Sequence, residues 1–230
     1  MTNYTGPDPA RIRTMFAAIA RRYDRANTVL SGGVHHLWRR KAVRHADIKP
    51  GQRVLDCATG TGDLAIAFRK AGAVVTGTDF VPEMLELARV KAKDITFEVA
   101  DVTRLPYADN TFDVSSISFG IRNVGDPRKG IAEMARVVKS GGRVLVLEFG
   151  QPQSKWFGAL YDWYSRVVLP RIGGALTGER DAYRYLQRSA ERFPCGEDFA
   201  RLMRESGDFA EVTYVPLTFG IAYLYRGIRT

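Results

Sequence analysis

A glycine-rich turn is the first candidate site for chemistry. It reads Asp56-Cys-Ala-Thr-Gly60-Thr-Gly62-Asp63 and directly follows an apolar run typical of a buried strand. Glycines there let the backbone approach a ligand closely, and the helix that follows points its N-terminal amide groups at that ligand. Because Gly60, Gly62 and Ala65 also fit the Gly-x-Gly-x-x-Gly/Ala dinucleotide pattern, the turn alone leaves a nicotinamide cofactor open.

Three aspartates at predicted strand ends help to distinguish the cofactors. Asp56 comes just before the turn, where it can face a cationic amine and would repel a pyrophosphate. Asp79 ends the second strand and can accept hydrogen bonds from both hydroxyls of a ribose, a role common to both cofactor classes. Asp101 ends the third strand, where a carboxylate can accept from an adenine amine. The combination favours S-adenosylmethionine, although each aspartate alone could cap a helix.

Short apolar runs that alternate with helical periods are the elements that must position these residues. Strands separated by helices predict a parallel sheet with helices on both faces. Two later runs, 211–217 and 221–228, are joined by so short a link that only an antiparallel hairpin fits. The five earlier runs span residues 53–58, 74–79, 95–100, 112–119 and 143–149.

Helix boundaries have signals of their own. Asp8-Pro9 and Asp126-Pro127 each place an N-cap residue before a first-turn proline. From Asp126 a helical period of apolar residues runs through Val138, and Gly141-Gly142 is predicted to end that helix. Pro82 is predicted to begin another helix between the second and third strands.

Five parallel strands and a closing hairpin resemble the Rossmann-like fold of class I S-adenosylmethionine-dependent methyltransferases. The prediction is an α/β protein with a seven-stranded, mostly parallel sheet whose last strand is antiparallel. A chain of 230 residues can form one substantial core, so residues 1–230 are expected to be a single domain. Residues 1–50 are predicted to form an N-terminal helical cap. Residues 151–195 are predicted to form an aromatic helical insertion that is the wall of an acceptor pocket.

Longer motifs resemble one family of these enzymes. Two of them read Tyr23-Asp24-x-x-Asn27-x-x-Leu30-Ser31-x-x-x-His35-x-x-Trp38 and Arg136-Val-Val-Lys139-x-Gly141-Gly142-x-Val144-x-x-Leu147-Glu148, and residues 117–124, 168–174 and 183–194 add to them. Together they resemble the ubiquinone/menaquinone biosynthesis C-methyltransferases over nearly the whole chain.

This resemblance implies methyl transfer from S-adenosylmethionine to a polyprenyl quinol. The compact length favours demethylmenaquinol, converted to menaquinol, as the substrate. The polyprenyl benzoquinol of the ubiquinone pathway stays open, and another small molecule is a weaker alternative.

The resemblance and the strand-end pattern together name the candidate site residues. Arg122 and Asn123, just beyond the fourth strand, would border the methyl acceptor as catalytic residues, and a surface ion pair is the alternative for Arg122. His35, His36 and His45 lack an acidic or cysteine partner set, so no metal site is expected. The predicted cofactor-binding residues are Asp56, Gly60, Thr61, Gly62, Asp79, Phe80, Asp101, Val102 and Ser118.

Positive charge is concentrated at the N-terminus. Residues 1–44 carry nine Lys and Arg against two acids, whereas residues 45–150 carry fourteen of each. Such a patch could adsorb to an anionic membrane, and solvated helix faces are the alternative reading. Because no apolar run reaches the length of a membrane span and no signal sequence is present, we expect a cytoplasmic protein, peripheral at the inner face of the cell membrane. The basic side chains in question are Arg11, Arg13, Arg21, Arg22, Arg39, Arg40 and Lys41.

Three rival functions remain to be weighed. A nucleic-acid methyltransferase would use the basic N-terminus, but no Asn-Pro-Pro-Tyr-type base-flipping tetrad follows the fourth strand and no RNA-binding module is appended, so no nucleic-acid partner is expected. A nicotinamide oxidoreductase would bind NADH at the same turn. A non-catalytic module would bind the cofactor and transfer nothing. The aromatic stretch 156–168 could also serve as ordinary core or as a homodimer contact.

Overall fold

The computed structural model describes residues 6–152, 158, 163–168, 171–172, 178 and 180–230. Within these residues, seven strands form a single sheet. They are β1 (Arg53–Cys57), β2 (Val74–Asp79), β3 (Thr96–Val99), β4 (Phe112–Ser118), β5 (Val138–Phe149), β6 (Phe209–Leu217) and β7 (Ala222–Arg229).

The strand order confirms the predicted fold class. It is β3-β2-β1-β4-β5-β7-β6, with β1 to β5 paired in parallel. Strand β7 runs antiparallel to both of its neighbours, as the short hairpin link requires. Since β1 lies between β2 and β4, the chain reverses its winding direction there, and ligands bind at such a point in open α/β sheets.

Helices cover both faces of this sheet. They are α1 (Pro9–Ser31), α2 (Val34–Ala46), α3 (Asp63–Lys70), α4 (Pro82–Lys91), α5 (Pro127–Arg136), α6 (Arg180–Arg192) and α7 (Glu197–Ser206). Two short 3-10 turns follow β4 and β6, at Ile121–Asn123 and Thr218–Gly220, and a π-helical turn spans Tyr164–Val168.

Alternate side chains of the central strands supply two separate cores. In β1, Leu55 and Cys57 pack with apolar residues of α5 and α7, whereas Val54 packs with α2, α3 and α4. In β5, Val146 belongs to the same core as Leu55 and Cys57, and Leu147 belongs to the same core as Val54. This alternation is what buries a parallel sheet on both faces, and it leaves the carboxyl ends of the strands as the place for polar groups.

The predicted helix starts are confirmed, but one predicted end is wrong. The Asp8 and Asp126 side chains accept from the backbone N–H groups of Ala10 at 3.0 Å and Lys129 at 3.1 Å, as N-caps do. Helix α5, however, ends at Arg136 and not at the glycine pair.

The cause is an irregularity in the pairing of β4 with β5. Val138 pairs with Phe112 and Arg143 pairs with Val114, so four residues of β5 lie opposite the single residue Asp113 of β4. A Cβ atom on Gly142 would lie 2.7 Å from the backbone oxygen of Asp113. Gly142 therefore allows the close backbone approach in this bulge, and the glycine pair does not end the helix. Val138 is fully buried, and an apolar residue at that position fits the period of a helix and that of a strand equally well.

Part of the aromatic stretch 156–168 lies outside the described residues, including Trp156, Phe157, Leu160 and Tyr161. The use of that stretch as an acceptor wall or a homodimer contact therefore stays a prediction. Of the helices that the structure describes, not one combines the length and the apolar character needed to cross a membrane.

We predict that Gly62 stabilises the fold through close packing. Gly62 has φ +84° and a Cβ atom there would lie 3.1 Å from the Phe97 ring, whereas Gly51 has φ +83° and an open surrounding. In both Gly→Ala variants the left-handed backbone costs about 1 to 2 kcal/mol. Gly62→Ala should cost about 1 to 3 kcal/mol more because of overpacking. Urea unfolding measures both values, and equal losses would contradict the packing role.

Candidate active site

Two adjoining cavities lie at the carboxyl ends of the parallel strands. The larger has a volume of about 530 Å³ and the smaller about 340 Å³. Ligand sites of open α/β sheets lie at this edge, and both volumes are those of small-molecule pockets. The residues that line both cavities are Phe16, Tyr23, Ala58, Gly60, Ser118 and Phe119.

The smaller cavity brings together six predicted cofactor residues: Gly60, Asp79, Phe80, Asp101, Val102 and Ser118. Asp79 accepts from the backbone N–H of Gly60 at 2.8 Å, which places its carboxylate directly against the glycine turn. Its second oxygen accepts from the N–H of Val81 at 2.9 Å. Burial raises the pKa of Asp79 to about 6, and these backbone donors oppose that shift.

Asp101 lies beyond the end of its strand, since β3 ends at Val99. Its exposed carboxylate accepts from the backbone N–H and the hydroxyl of Thr103, at 2.8 and 2.9 Å. These two hydrogen bonds to Thr103 fix the conformation of the loop that follows β3. The predicted position at the third strand was correct to within two residues.

Asp56 lines the larger cavity and is almost completely buried. The hydroxyls of Ser116 and Thr59 each donate to one of its oxygens at 2.6 Å. Burial raises the pKa of Asp56 to about 6, while these hydrogen bonds lower it. Each carboxylate oxygen has a second lone pair, so Asp56 can still accept from a ligand amine.

The remaining turn residues have different surroundings. Gly60 lines both cavities, whereas Gly62 lines neither of the cavities formed by the described residues. Thr61 lines the larger cavity, and its hydroxyl donates to Asp24 at 2.6 Å. The buried Oγ of Ser118 has no hydrogen-bond partner in the described part of the chain, although the residue lines both cavities. An orphaned hydroxyl there fits a bound polar ligand.

Arg122 and Asn123 lie on the 3-10 turn after β4 and line different cavities, Arg122 the larger and Asn123 the smaller. Arg122 is in an ion pair, but not at the surface: its Nη1 donates to Glu148 Oε1 at 2.6 Å, and both side chains are buried. Nη1 also donates to the backbone oxygen of Phe119 at 2.6 Å. The alternative of a surface ion pair for Arg122 is therefore wrong, because the ion pair is present but buried.

Several site residues were not among those predicted. Tyr185 of α6 donates to Asn123 Oδ1 at 2.9 Å, and Tyr23 of α1 lines both cavities. Burial raises the pKa of both phenols, while the nearby Arg122 charge lowers them. Both tyrosines fall within the quoted motifs, which were the signal that could have identified them.

An ion-pair network ties the N-terminal helices to the glycine turn. Lys91 Nζ pairs with the carboxylates of Asp24 and Asp63, and it donates to the Thr61 hydroxyl at 2.9 Å. Arg39 of α2 lies 2.9 Å from Asp63. Helices α1 and α2 are thus held over the cavities by contacts to α3 and α4.

His35 also lines the larger cavity, where its Nδ1 lies 2.5 Å from the Ser31 hydroxyl. Burial and then the charge of Arg39 lower the pKa of His35 to about 4, so its ring is neutral at pH 7. Within the described ranges, no group of three or more His, Cys, Asp and Glu is placed to hold a metal ion.

Comparison with known proteins decides the family. Residues 5–229 match the model of the ubiE/COQ5 methyltransferase family. The chain belongs to that family. This confirms the resemblance inferred from the motifs and, with it, the enzyme class, a methyltransferase.

Relatives of the ubiE/COQ5 family match over almost their full length. The ubiquinone/menaquinone biosynthesis C-methyltransferase UbiE of Bdellovibrio bacteriovorus is 58% identical over 233 residues, covering 99% of each chain. The demethylmenaquinone methyltransferase of Deinococcus radiodurans is 47% identical, covering 94% of this chain and 91% of its own. That of Thermus thermophilus is 45% identical, covering 94% of this chain and 100% of its own.

Solved structures agree on the fold. A SAM-dependent methyltransferase from Thermotoga maritima superimposes with a TM-score of 0.68 at 21% identity, covering 94% of this chain and 99% of that one. Its likeness confirms the class I methyltransferase architecture of the ubiE/COQ5 chain.

We predict that cofactor binding depends on ionised Asp79. Because burial raises its pKa to about 6, S-adenosylmethionine affinity should fall as the pH is lowered from 7.5 through 6 to 5. Asp79→Asn should weaken binding at pH 7.5 by roughly 1.5 to 3 kcal/mol, the value of a hydrogen bond to a charged group. Calorimetry at the three pH values measures both effects.

The Asn variant should also lose part of the pH dependence, and Asp56, with its pKa also raised to about 6, supplies the remainder. Asp101→Asn is the control that keeps the full dependence. Unchanged affinity in a folded Asp79→Asn variant would overturn the assignment.

Proposed function

We propose that this chain transfers the methyl group of S-adenosylmethionine to a ring carbon of demethylmenaquinol, giving menaquinol. The observation that best supports this proposal is that a cavity lined by aspartates adjoins a larger, mainly apolar cavity, and that Gly60, Ser118 and Phe119 line both. Family membership and two relatives named demethylmenaquinone methyltransferase support this substrate. A polyprenyl benzoquinol of the ubiquinone pathway is the second candidate, because the 58% identical relative is named for both pathways.

The donor would lie across the two cavities. Asp79 is placed to accept from the ribose hydroxyls, and Asp101 and Val102 are placed beside the adenine. The amino-acid part would extend over Gly60 toward Asp56 in the larger cavity. Thr61 and Phe80 complete its surroundings. The residues therefore fit a ligand with a cationic amine at one end and a nucleoside at the other.

The acceptor would occupy the larger cavity beyond the donor. Apolar side chains from the N-terminal helices and the strand ends line it, among them Ile19, Leu30, Trp38 and Phe149. Tyr164 and Leu186, from the predicted insertion 151–195, also line it. Such a lining excludes water and aligns a quinol ring.

Bound S-adenosylmethionine supplies an activated methyl group on a positively charged sulfur. The acceptor hydroxyl loses its proton as the neighbouring ring carbon becomes nucleophilic, and that carbon loses its own proton after the new bond has formed. We assign Arg122, which lines the larger cavity, to the acceptor side, whereas Asn123 lines the smaller cavity and meets the acceptor wall only through the hydrogen bond that Tyr185 donates to it. Arg122 can stabilise the phenolate oxygen or act through a water in proton removal, and both roles use its position on the cavity wall.

A direct assay tests the function. Purified protein with labelled S-adenosylmethionine and reduced short-chain demethylmenaquinol should yield ring-methylated menaquinol, identified by mass spectrometry. The matched benzoquinol should react at least tenfold more slowly. Arg122→Lys should keep cofactor affinity within about threefold and lose at least tenfold in turnover, because a point charge replaces the fork-shaped donor. Methylation of neither quinol would contradict the proposal, and preference for the benzoquinol would select the second candidate.

We further propose contact with an anionic membrane surface at the cytoplasmic face, where a polyprenyl acceptor is found. The exposed face of α2 carries Leu37, Arg40, Lys41 and Arg44 at helical spacing, and α2 contains no acid. Among the residues described, these three basic side chains have no ion pair, whereas Arg39 pairs inward with Asp63. The face therefore combines positive charge with an apolar side chain.

Other residues of α2, among them His35 and Trp38, line the larger cavity. Val29 lines the cavity and is 50% exposed, and Leu37 is 59% exposed. Trp38 Nε1 donates to the Thr218 hydroxyl at 2.9 Å, which brings the exposed Phe219 beside α2. Apolar side chains near basic ones are typical of membrane-surface helices.

We predict that reversing two charges of this face weakens vesicle binding. Each basic group near an anionic surface contributes about 1 kcal/mol, so Arg40→Glu/Lys41→Glu should lower partitioning onto anionic vesicles at least tenfold. Arg201→Glu/Arg204→Glu on α7, across the sheet, is the charge-matched control and should bind like wild type. Equal sedimentation of all three proteins would show that α2 is not the docking face.

A further inference from the structure

Glu148 is a buried charged side chain near the carboxyl end of β5. It is the penultimate residue of β5 and is 1% exposed. Its Oε1 accepts from Arg122 Nη1 at 2.6 Å and from the backbone N–H of Phe149 at 2.8 Å, and its Oε2 accepts from the backbone N–H of Arg122 at 3.3 Å. One carboxylate therefore binds both the backbone and the side chain of Arg122.

Glu148 does not line either described cavity, whereas Arg122 lines the larger one. The glutamate thus acts on the site through its neighbours, Arg122 and the adjacent Phe149, which both line the larger cavity. The Arg122 guanidinium also lies over the Phe149 ring, with Cζ 5.1 Å from its centroid. These contacts hold one face and one edge of the guanidinium against the end of β5.

A second set of contacts joins the same turn to α6. Arg122 Nε lies 3.4 Å from Ser189 Oγ, and Tyr185 donates to Asn123 Oδ1 at 2.9 Å. Tyr185 and Leu186 are part of the cavity wall. A shift of Arg122 would therefore alter the acceptor side of the cavity.

The ion pair also sets the charge of the cavity. With the Glu148 carboxylate in direct contact, Arg122 presents oriented N–H groups to the cavity while its positive charge is balanced. Charge balance matters for a reaction in which a cationic donor and an anionic acceptor neutralise each other. An unbalanced cation beside the acceptor oxygen would stabilise the phenolate before transfer more than during transfer, when that negative charge disappears.

We propose that Glu148 is a positioning residue for methyl transfer: it fixes the Arg122 guanidinium at the acceptor cavity and balances its charge. This inference rests on the proposed methylation of a quinol. It assigns to Glu148 an effect on the acceptor and none on donor binding, because Asp56, Asp79 and Asp101 lie on the donor side.

Other ionisable groups face the same space, and one of them, Tyr185, is itself affected by the Glu148 charge, which raises its pKa together with the larger effect of burial. Tyr185 approaches from α6, close to both Arg122 and Glu148. The remaining ones on the described wall of the larger cavity are Tyr23, His35, Arg39, Asp56, Asp63 and Tyr164. A change in pH dependence on substituting Glu148 alone therefore reports the charge beside Arg122 and its neighbour Tyr185.

The first test is Glu148→Gln, which keeps the shape and removes the charge. Turnover of short-chain demethylmenaquinol is measured at saturating substrates from pH 6.5 to 8.5. The uncompensated Arg122 charge favours ionisation of the acceptor hydroxyl, so the acidic limb of the plot of kcat against pH should move to lower pH. The ratio of kcat at pH 6.5 to kcat at pH 8.5 should rise at least threefold, while the highest kcat falls at least tenfold and the Kd for S-adenosylmethionine stays within threefold.

Glu148→Asp is the second test, and it decides the question if the Gln variant does not fold. This substitution keeps the negative charge, but the side chain is one methylene group shorter, so the carboxylate lies farther from Arg122. The pH ratio should stay at the wild-type value, while kcat falls at least tenfold with the donor Kd unchanged. Glu133→Gln is the control, since Glu133 forms a similar pair with Arg136 on α5, at 2.7 Å and away from both cavities.

Wild-type kcat and a wild-type pH ratio in the folded Gln variant would overturn the proposal, as would wild-type kcat in the Asp variant. A merely structural role would lower the amount of folded protein without moving the pH ratio. If wild type itself methylated no quinol, the proposed function would fail first, and the inference with it.

Discussion

The fold depends on satisfying buried ionisable groups at one edge of an otherwise apolar sheet. Asp56, Asp79, Arg122 and Glu148 are each at most 5% exposed, and all lie at or just beyond the carboxyl ends of parallel strands. A buried charge without a partner is strongly destabilising, so each of these groups needs a partner nearby. Hydroxyls hold Asp56, backbone amides hold Asp79, and Arg122 and Glu148 hold each other. The turns after β1, β2 and β4 are positioned by these contacts.

Different elements of the fold form the two cavities at this edge of the sheet. The sheet and its turns line the smaller cavity, which we propose binds the nucleoside, whereas α1, α2 and α6 enclose the larger apolar cavity, which we propose binds the acceptor. The two parts are coupled at the glycine turn, because Lys91 binds Asp24 of α1, Asp63 of α3 and Thr61 between the strand and the helix. The N-terminal helices α1 and α2 are thus held in place by charged residues of α3 and α4.

The sequence predicted local features well and distant pairings poorly. Asp8, Asp126 and the glycine turn carry their signals within a few residues, so caps, strands and the turn were predicted near their observed positions. The end of α5 was wrong because a buried Val138 satisfies two periodicities, and only pairing with Phe112 selects the strand. The contact between Arg122 and Glu148 spans 26 residues and two strands, so no local pattern reveals it.

The proposed function requires donor and acceptor to occupy adjoining cavities that meet at Gly60 and Ser118. A crystal structure with bound S-adenosylhomocysteine tests it most directly. We expect ribose hydroxyls within hydrogen-bond distance of the Asp79 carboxylate, adenine beside Asp101 and Val102, and the sulfur facing the larger cavity. A nucleoside seated in the larger cavity, away from Asp79, would contradict it.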